Sequence, residues 1–316
     1  MRRVDQLITQ ARLVSRNSAN ADGTYGVTDN EILQYLNDAQ DKLQNLISAK
    51  KNIAKIFDTQ QIISIVGNQE AYSIPDRVLM NKQIDQVEFS ADGTIGNYVR
   101  LEKLNFFNRD TNTTTYPWGY FKRCGQIFLQ PTPSTSMGSL RVTYERDLDD
   151  LDIPRAGITT ITGGTATQFT SITLDSTADS YESTTPGFSN VQYVSIVDAL
   201  GNRKCYNVLV GSYVAGTNVL TPNPSPFLYG TGDSALATTD VVVFGKYTTT
   251  FSQLPDSCER YLIHSAAADI FAKDSSNDYS RQADIVAQIE DDILRALASQ
   301  TSEVQYIPQQ DRYEWF

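Results

Sequence analysis

The chain has 316 residues, of which 40% are hydrophobic, 10% aromatic and 20% charged, and its formal net charge is −11. This composition excludes an intrinsically disordered chain and predicts a globular protein of one large or two modest domains. The excess of acidic residues argues against tight binding of nucleic acid, which requires clustered Lys and Arg. An acidic surface would, however, let DNA pass close by without binding it.

The cysteines and the N-terminal residues indicate the compartment in which the chain folds. Cys124, Cys205 and Cys258 form an odd and sparse set, which is not a disulfide framework and predicts folding in a reducing cytosol. The first residues lack the apolar region of a secretory signal, and no stretch approaches the roughly 18 apolar residues of a membrane helix. We therefore expect no membrane partner.

The N-terminal region predicts two helices. The first is indicated by apolar residues at helical spacing, namely Val4, Leu7, Ile8, Ala11 and Val14. The second begins at a capping box, in which Thr28 accepts from the main chain and Glu31 returns the bond. Its long apolar stripe packs either inside one chain or against a second copy, and it comprises Ile32, Leu36, Ala39, Leu43, Leu46, Ile53 and Phe57.

From residue 60 the apolar period changes to two, which predicts short strands. We expect a hairpin that turns at Gly67-Asn68, a strand that ends at Asp92-Gly93, and two strands around Cys124-Gly125-Gln126. A further strand is predicted in the segment SLRVTYE. Together these strands would form a small antiparallel sheet that the helices cover.

Residues 155–250 differ from the rest because Thr, Ser, Gly and Val dominate and turn signals separate the strands. They predict an all-β sandwich or barrel. Without them, the preceding strand runs almost directly into the next helix, so the module is interpreted as an insertion at an exposed loop. The predicted fold class is α+β, with a core of residues 1–153 and 252–316, composed of a helical bundle and a small antiparallel sheet, plus the inserted module 155–250.

Two more helices and an extended segment are predicted after the module. Pro255 suits the first helical position, and Leu262, Ala266 and Ile270 share one face. The small residues from Ser265 to Ala268 would permit close approach of another helix. The last helix has an apolar stripe, and the pair predicts an antiparallel αα-hairpin; the stripe comprises Val286, Ile289, Ile293 and Leu297. Residues 301–316 contain Pro308 and no helical stripe, which predicts an extended arm.

The sequence offers few groups for catalysis. His264 is the single histidine and is interpreted as a surface or packing residue, and the usual nucleophile, phosphate-binding and metal-binding motifs are missing. The carboxylates Asp147, Asp149, Asp150 and Asp152 resemble the start of a calcium loop, but Leu151 and the lack of a following glycine break that pattern. We interpret them as a solvated acidic loop. No catalytic residue, cofactor or metal site is predicted.

The aromatic residues suggest two surfaces. Five of them in the β module line a carbohydrate platform, fill a core or face a neighbour: Tyr181, Phe188, Tyr193, Phe227 and Tyr229. The arm carries the predicted partner-binding residues Tyr306, Ile307, Tyr313, Trp315 and Phe316. Exposing such side chains to water costs roughly 1.5–3 kcal/mol each. The arm therefore packs on its own chain, docks on another subunit or protein as an aromatic-anchored peptide, or stays disordered, and docking is the interpretation we favour.

The order of these elements resembles a known family. A short helix, a capped long helix (TDNEILQYLNDAQDKLQNLI), hairpins with the strand GQIFLQPTP, and a helix pair containing AAADIF follow one another. In this order and rhythm the chain resembles the head-to-tail adaptors of tailed bacteriophages, and most of all the portal-attached adaptors of short-tailed phages. The resemblance covers residues 1–153 and 252–316, and the β module is extra.

The resemblance implies a virion structural protein rather than an enzyme. Such adaptors form a ring, usually of twelve copies, below the portal; their helices line a channel and their C-terminal arms grip the portal. It implies as partners the portal protein, further copies of the chain in a dodecameric ring, and the next tail component or a fibre. DNA would pass through the channel without specific binding. The location would be the tail or neck of the virion, after assembly in the host cytoplasm.

Two other functions stay open on the residues alone. A tail tube or fibre-attachment component would be another virion structural protein, and a tail tube would form stacked rings without a portal. A glycan-binding or glycan-cleaving protein would use the β module, and residues 155–250 by themselves would then bind or cleave a polysaccharide.

Overall fold

The computed structural model describes residues 2–17, 26–50, 57–79, 84–105, 116–182, 187–230, 233–273 and 278–302. The chain divides into two compact units. Residues 1–52 and 148–316 form the first, which we call the helix–barrel unit, and residues 53–147 form the second, which we call the two-sheet unit.

The helix–barrel unit contains the α-helices of the described residues. They are α1 (Val4–Ser15), α2 (Asp29–Ala49), α3 (Thr177–Glu182), α4 (Glu259–Lys273) and α5 (Tyr279–Ser302). In the described part of the chain, no helix combines the length and the apolar character that crossing a membrane requires.

Helix α4 lies at the centre of the bundle, since α1, α2 and α5 all pack against it. Its residues are buried on several sides, as expected for a helix that neighbours surround. The small residues from Ser265 to Ala268 are buried, which confirms that this run accommodates close neighbours. The predicted face of Leu262, Ala266 and Ile270 is fully buried. Pro255 precedes a 3-10 turn (Asp256–Cys258), and the α-helix begins after that turn.

The directions of the helices follow from contacts at their ends. The main-chain N–H of Arg2 donates to Glu259 Oε1 over 2.7 Å, so α1 and α4 begin at the same end of the bundle. On α5, Gln282 contacts His264 of α4. Burial raises the pKa of Tyr261 on α4, and the carboxylate of Glu290, further along α5, raises it too, so Glu290 lies near Tyr261. The two helices are therefore antiparallel, as the sequence predicts, and α5 ends on the side where α1 begins.

The N-terminus of α2 has the predicted capping box. Glu31 N–H donates to Thr28 Oγ1 over 3.3 Å, and Thr28 N–H donates to Glu31 Oε2 over 2.8 Å. The ammonium of Lys273, in the last turn of α4, donates to Glu31 Oε1 over 2.7 Å. The pKa of Glu31 is lowered to about 2, mainly by the hydrogen bond from Lys273 and also by the hydrogen bond from the main-chain N–H of Thr28. The cap therefore also joins the start of α2 to the end of α4.

The stripe of α2 is buried within the chain, but α2 is shorter than predicted. Ile32, Leu36, Ala39 and Leu43 are fully buried, and α2 packs against α1 and α4. The helix ends at Ala49. The predicted continuation to Phe57 is wrong, since Phe57 is buried in the two-sheet unit, where its carbonyl accepts from Arg146 N–H. The predicted residue Ile53 lies outside the described residues.

The two-sheet unit contains two four-stranded sheets, ordered β1-β8-β3-β4 and β2-β7-β6-β5. All neighbouring strands are antiparallel except β5 and β6, which are parallel. The strands are β1 (Asp58–Ser64), β2 (Ala71–Ser73), β3 (Ile84–Ser90), β4 (Val99–Arg100), β5 (Glu102–Lys103), β6 (Gly119–Arg123), β7 (Gln126–Gln130) and β8 (Ser139–Glu145). The predicted turn between β6 and β7 is confirmed, with Cys124 and Gly125 both at positive φ. One apolar core joins the two sheets.

The predicted hairpin around Gly67-Asn68 is wrong. The chain turns there, but β1 pairs with β8 and β2 pairs with β7. The turn is held by a different segment, since Gly67 N–H donates to Ser136 Oγ over 2.9 Å and Asn68 N–H donates to Pro133 O over 2.8 Å. A Cβ on Gly67 would approach the main chain of Ser136 to 2.8 Å. The turn signal therefore marked a reversal of the chain and not the pairing of its flanking strands.

The segment after the two-sheet unit forms a closed six-stranded barrel, in the order β10-β12-β15-β14-β13-β17. The strands from here on are β9 (Asp150–Leu151), β10 (Ala156–Thr162), β11 (Gln168–Phe169), β12 (Ser171–Leu174), β13 (Tyr193–Val197), β14 (Arg203–Val214), β15 (Val219–Pro222), β16 (Phe227–Leu228), β17 (Val241–Phe244) and β18 (Thr248–Thr249). Closure leaves the barrel without open edges and surrounds one apolar core. The α+β class with small sheets and a β module is confirmed, and the module is a barrel.

The ends of the barrel lie side by side, because Ala156 is the pairing partner of Val242. This adjacency is what an insertion requires. The barrel shares its compact unit with the helices. The division into a core of residues 1–153 and 252–316 and a separate module 155–250 stays a prediction.

We predict that the bundle folds without the barrel. In a variant with residues 157–241 replaced by a short Gly-Ser linker, Arg155 and strand β18 are kept, so the contacts of Asp152 with Arg155 and of β9 with β18 survive. Circular dichroism should show the helical signal retained, with cooperative thermal unfolding at a lower temperature. An insoluble or non-cooperative product would contradict the prediction.

We also predict that His264 makes stability depend on pH. Gln282 Nε2 donates to His264 Nδ1 over 2.7 Å. Burial is the main reason that the pKa of His264 is lower than 6.5, and the nearby positive charge of Arg260 lowers this pKa as well. The unfolded chain therefore binds the proton more readily, and stability should fall as the pH drops below about 6.5 and level off below the folded pKa. Denaturant titrations of the chain and of His264→Gln at several pH values should differ in this window. Parallel pH profiles would refute the assignment.

Candidate functional site: a carboxylate junction and an arginine groove

Two buried carboxylates lie where the chain enters the barrel. We call Asp149, Asp152 and their hydrogen-bond partners the carboxylate junction. Asp149 is fully buried, and its Oδ2 accepts hydrogen bonds from the hydroxyl of Tyr206 on β14 and from Nε2 of Gln253. The main-chain N–H of Asp149 donates to Gln253 Oε1 over 3.0 Å, and its carbonyl accepts from Gln40 Nε2 of α2 over 2.9 Å.

Asp152 is paired with Arg155, and both side chains are buried. Arg155 Nε donates to the two carboxylate oxygens over 3.0 and 3.1 Å, and Phe244 N–H of β17 donates to Oδ2 over 2.8 Å. Burial raises the pKa of Asp152, and the hydrogen bonds from Arg155 and Phe244 oppose that effect. The guanidinium also lies 5.0 and 5.1 Å from the ring centres of Tyr181 and Phe244.

Between the two carboxylates, strand β9 is fixed to helix and barrel. Asn37 of α2 donates to Leu151 O over 3.0 Å and accepts from Leu151 N–H over 2.7 Å. On the other side, β9 pairs in parallel with β18, which follows the barrel. The junction therefore ties α2 to both ends of the barrel.

The interpretation of this segment as a solvated acidic loop is wrong for Asp149 and Asp152. Each accepts hydrogen bonds from groups distant in sequence, and such donors compensate the cost of burying a carboxylate. Asp147 and Asp150 of the same stretch are exposed, as the interpretation expects. Because the two buried carboxylates are surrounded by donors and closed off from water, their chemical role is to hold structure.

A groove runs along the outer face of α1. It has a volume of about 850 Å³ and is bounded by the segment Ile153-Pro154 and by Tyr181 of α3. We call it the arginine groove, because Arg3, Arg12 and Arg16 lie along it. Its apolar part includes Leu13, which is 66% exposed.

The charges along the arginine groove are partly compensated by neighbouring acids. Arg12 Nη2 lies 2.5 Å from Asp29 Oδ1, and Arg3 Nη2 lies 3.3 Å from Asp5 Oδ2. Arg16, at the C-terminus of α1, has a left-handed backbone (φ 56°) and is exposed. The groove therefore combines guanidinium groups with exposed apolar surface in a chain whose net charge is −11.

The aromatic residues of the barrel fill its core. Phe188 is fully buried, with ring centres 5.2 Å from Tyr213 and 4.8 Å from Phe244. Phe227 and Tyr229 lie 5.4 and 5.9 Å from the buried Phe169. Tyr181 packs partly against the same core, and Tyr193 is half-buried beneath Lys246. Of the three interpretations of this set, the structure favours core packing.

The remaining reactive groups are placed as structural ones. Burial raises the pKa of the Cys205 and Cys258 thiols, which makes them poor nucleophiles. His264 is held between α4 and α5 by Gln282.

In the described residues, Asp58, Asp85 and Glu145 bring carboxylate oxygens within 4.8 Å of one another. Lys122 lies close enough to Asp85 to interact with it electrostatically.

The predicted partner-binding residues lie outside the described residues; they are Tyr306, Ile307, Tyr313, Trp315 and Phe316. Their role stays a prediction. From the sequence alone, no role is predicted for Arg155 or for the arginines of the groove. The available signal was the spacing of Arg12 and Arg16 on one face of α1 and of Arg155 three residues after Asp152.

Comparison with known proteins gives one family. Residues 2–160, half of the chain, match the family model described as SU10 adaptor protein. The matched range contains α1, α2, the two-sheet unit and the junction residues up to the start of the barrel. Among curated proteins, none matches the sequence.

We predict that Asp152 and Arg155 are strongly coupled. Asp152→Ala leaves a buried guanidinium without its carboxylate, and Arg155→Met leaves a buried carboxylate without its cation, so each should cost about 3–5 kcal/mol of unfolding free energy. In the double variant the loss should be well below the sum, which a denaturant-based double-mutant cycle measures. As a matched control, Arg295→Ala breaks the exposed pair with Asp291 and should cost under about 1 kcal/mol. Additive losses at the junction would contradict the pairing.

Proposed function

The chain belongs to the SU10 adaptor protein family, and on this premise we propose that it forms a ring below the portal that joins the phage head to the tail and extends the DNA channel. The observation that carries the proposal is the family match over residues 2–160. The family implies a structural protein of the phage and not an enzyme. The neck of the virion is the corresponding location.

In this proposal the arm, residues 301–316, binds the portal. Thr301 and Ser302 are the last two residues of α5, so the predicted extended conformation is wrong for them. The residues after them include the five predicted contact residues named above. A single arm with a few buried aromatic side chains retains only a few kcal/mol after the cost of ordering it. In a ring, all arms act together through effective concentration, so that weak single contacts add up to a durable joint. The number of copies that the resemblance implies is twelve.

The surface of the bundle supports a channel that does not hold DNA. Asp38 and Asp41 are exposed on α2, and Asp291 and Asp292 are exposed on α5. Carboxylates facing a DNA channel repel phosphates, and on α5 the exposed guanidinium of Arg295 is paired with Asp291. That these faces line the channel is part of the proposal.

The other partners follow from the same arrangement. Neighbouring copies of the chain form the ring, and the next tail component or a fibre binds below it. Most of the barrel lies beyond the matched range, which ends at residue 160 within β10. In this proposal the barrel projects from the outside of the ring, where a neighbour or a fibre contacts it.

We predict that the aromatic residues of the arm are required for portal binding. The triple variant Tyr313→Ala/Trp315→Ala/Phe316→Ala removes about 1.5–3 kcal/mol of apolar burial per residue in every arm of a ring. Electron microscopy of portal rings from the same virus should show an added ring with the unchanged chain and none with the variant. Leu200→Ala, which truncates an apolar side chain that is 73% exposed on the barrel, should bind like the unchanged chain.

The other outcomes of the portal-binding experiment distinguish the alternative functions. If the variant binds as well as the unchanged chain, the portal contact lies elsewhere on the chain. If the unchanged chain adds no ring, the portal-adaptor proposal fails. Rings that stack without a portal would instead favour a tail-tube component.

A further inference from the structure

The arginine groove has the dimensions of a binding site for a peptide segment. Its volume of about 850 Å³ falls in the range of roughly 300–1,000 Å³ that ligand sites occupy. It follows the outer face of α1, whose twelve residues span about 18 Å. A short extended segment, laid along α1, fits this length.

The groove combines two kinds of chemistry. Guanidinium groups from Arg3, Arg12 and Arg16 lie along it, and Leu13 and Pro154 supply apolar surface. Guanidinium groups bind carboxylates and also stack on aromatic rings. The matching ligand is therefore a peptide that carries both acidic and aromatic side chains.

Residues 303–316 of the same chain have this composition. The segment EVQYIPQQDRYEWF contains three carboxylate side chains and one guanidinium, Arg312, which leaves a net side-chain charge of −2. Its aromatic residues Tyr313 and Trp315 flank Glu314, and Phe316 follows. The groove lining carries three arginines and two carboxylates, Asp5 and Asp29, which leaves a net side-chain charge of +1. Its charge is therefore opposite to that of the segment, and its apolar surface matches the aromatic residues.

The segment also starts at the right end of the bundle. Helix α5 runs antiparallel to α4, and α1 begins beside the first residue of α4, where Arg2 N–H donates to Glu259. Ser302 therefore lies toward the end of α1 that carries Arg3. Fourteen extended residues reach up to about 46 Å, which is longer than the groove and leaves chain to cross the bundle.

A groove of about 18 Å accommodates about five or six extended residues. We propose that the arginine groove is the docking site for residues 311–316 of the same chain, with the residues before them crossing the bundle. Acidic residues of the segment pair with the groove arginines, while its aromatic residues cover Leu13 and Pro154. Because the segment is tethered, its effective concentration is in the millimolar range, and a weak contact is sufficient. This inference concerns the chain by itself and stands whether or not the arm also binds a portal.

The test uses Trp315 as a reporter in the full chain. Trp118 is the second tryptophan; it is 47% exposed and can be replaced by Phe, which leaves Trp315 as the single tryptophan. We expect the emission of Trp315 to be blue-shifted relative to the denatured chain and protected from acrylamide. Leu13→Glu and Arg16→Glu, both at exposed positions, should each remove the blue shift and the protection while the helical circular dichroism stays unchanged.

The controls match the variants in chemistry. Leu200→Glu and Arg281→Glu make the same substitutions at exposed positions away from the groove and should leave Trp315 emission unchanged. Raising the ionic strength to 1 M shortens the screening length to about 3 Å and should shift the emission to the red. Dilution should have no effect, because the contact is within one chain.

Three results would overturn the inference. Emission of Trp315 that already equals that of the denatured chain shows that the segment does not dock. A blue shift that survives both groove variants shows that it docks on another surface. A blue shift that disappears on dilution shows that the docked segment comes from a second copy.

Discussion

The buried carboxylates of the junction are the constraint on which the helix–barrel unit depends. A carboxylate withdrawn from water is tolerated only where donors converge on it. At Asp149 the donors come from β14 and from the segment before α4, and at Asp152 they come from Arg155 and β17. Because these donors belong to elements far apart in sequence, the helices and the barrel satisfy the junction only in one relative arrangement.

Helix α4 adds the second constraint, which sets the directions of the other helices. Three helices pack around it, and a run of small buried residues leaves room for them. End contacts between Arg2 and Glu259, and between Glu31 and Lys273, fix which termini lie together. The terminal segment therefore leaves the bundle on the side where α1 begins, which connects the bundle geometry to both proposed contacts of the arm.

The same geometry relates the arm's two proposed binding surfaces. An arm that docks in the arginine groove of a free chain would keep its aromatic side chains from water until a portal is available. A portal would then have to offer a tighter contact than the groove, because the arm cannot occupy both. The groove docking and the portal contact are separate events, and a chain with a damaged groove and an intact arm distinguishes them.

Local signals in the sequence determined the elements of this protein. The capping box at Thr28, the apolar stripes of the helices, the turn at Cys124-Gly125 and the composition of residues 155–250 each act over a few neighbouring residues. Helices α1, α2, α4 and α5, the β6–β7 hairpin and the β-rich character of the module followed from them, whereas helix α3 inside the module was not predicted. The order of elements was sufficient to suggest the adaptor family.

Only the tertiary structure decided which elements are partners. The turn at Gly67-Asn68 did not reveal that β1 pairs with β8 and β2 with β7. The apolar spacing to Phe57 did not reveal that this residue lies outside α2 and is buried in the two-sheet unit. In sequence, Asp149 and Asp152 have the appearance of a solvated acidic loop; their burial depends on donors such as Tyr206, 57 residues away from Asp149. Local propensity depends on neighbours along the chain, whereas strand pairing and the burial of charge depend on groups that meet only after folding.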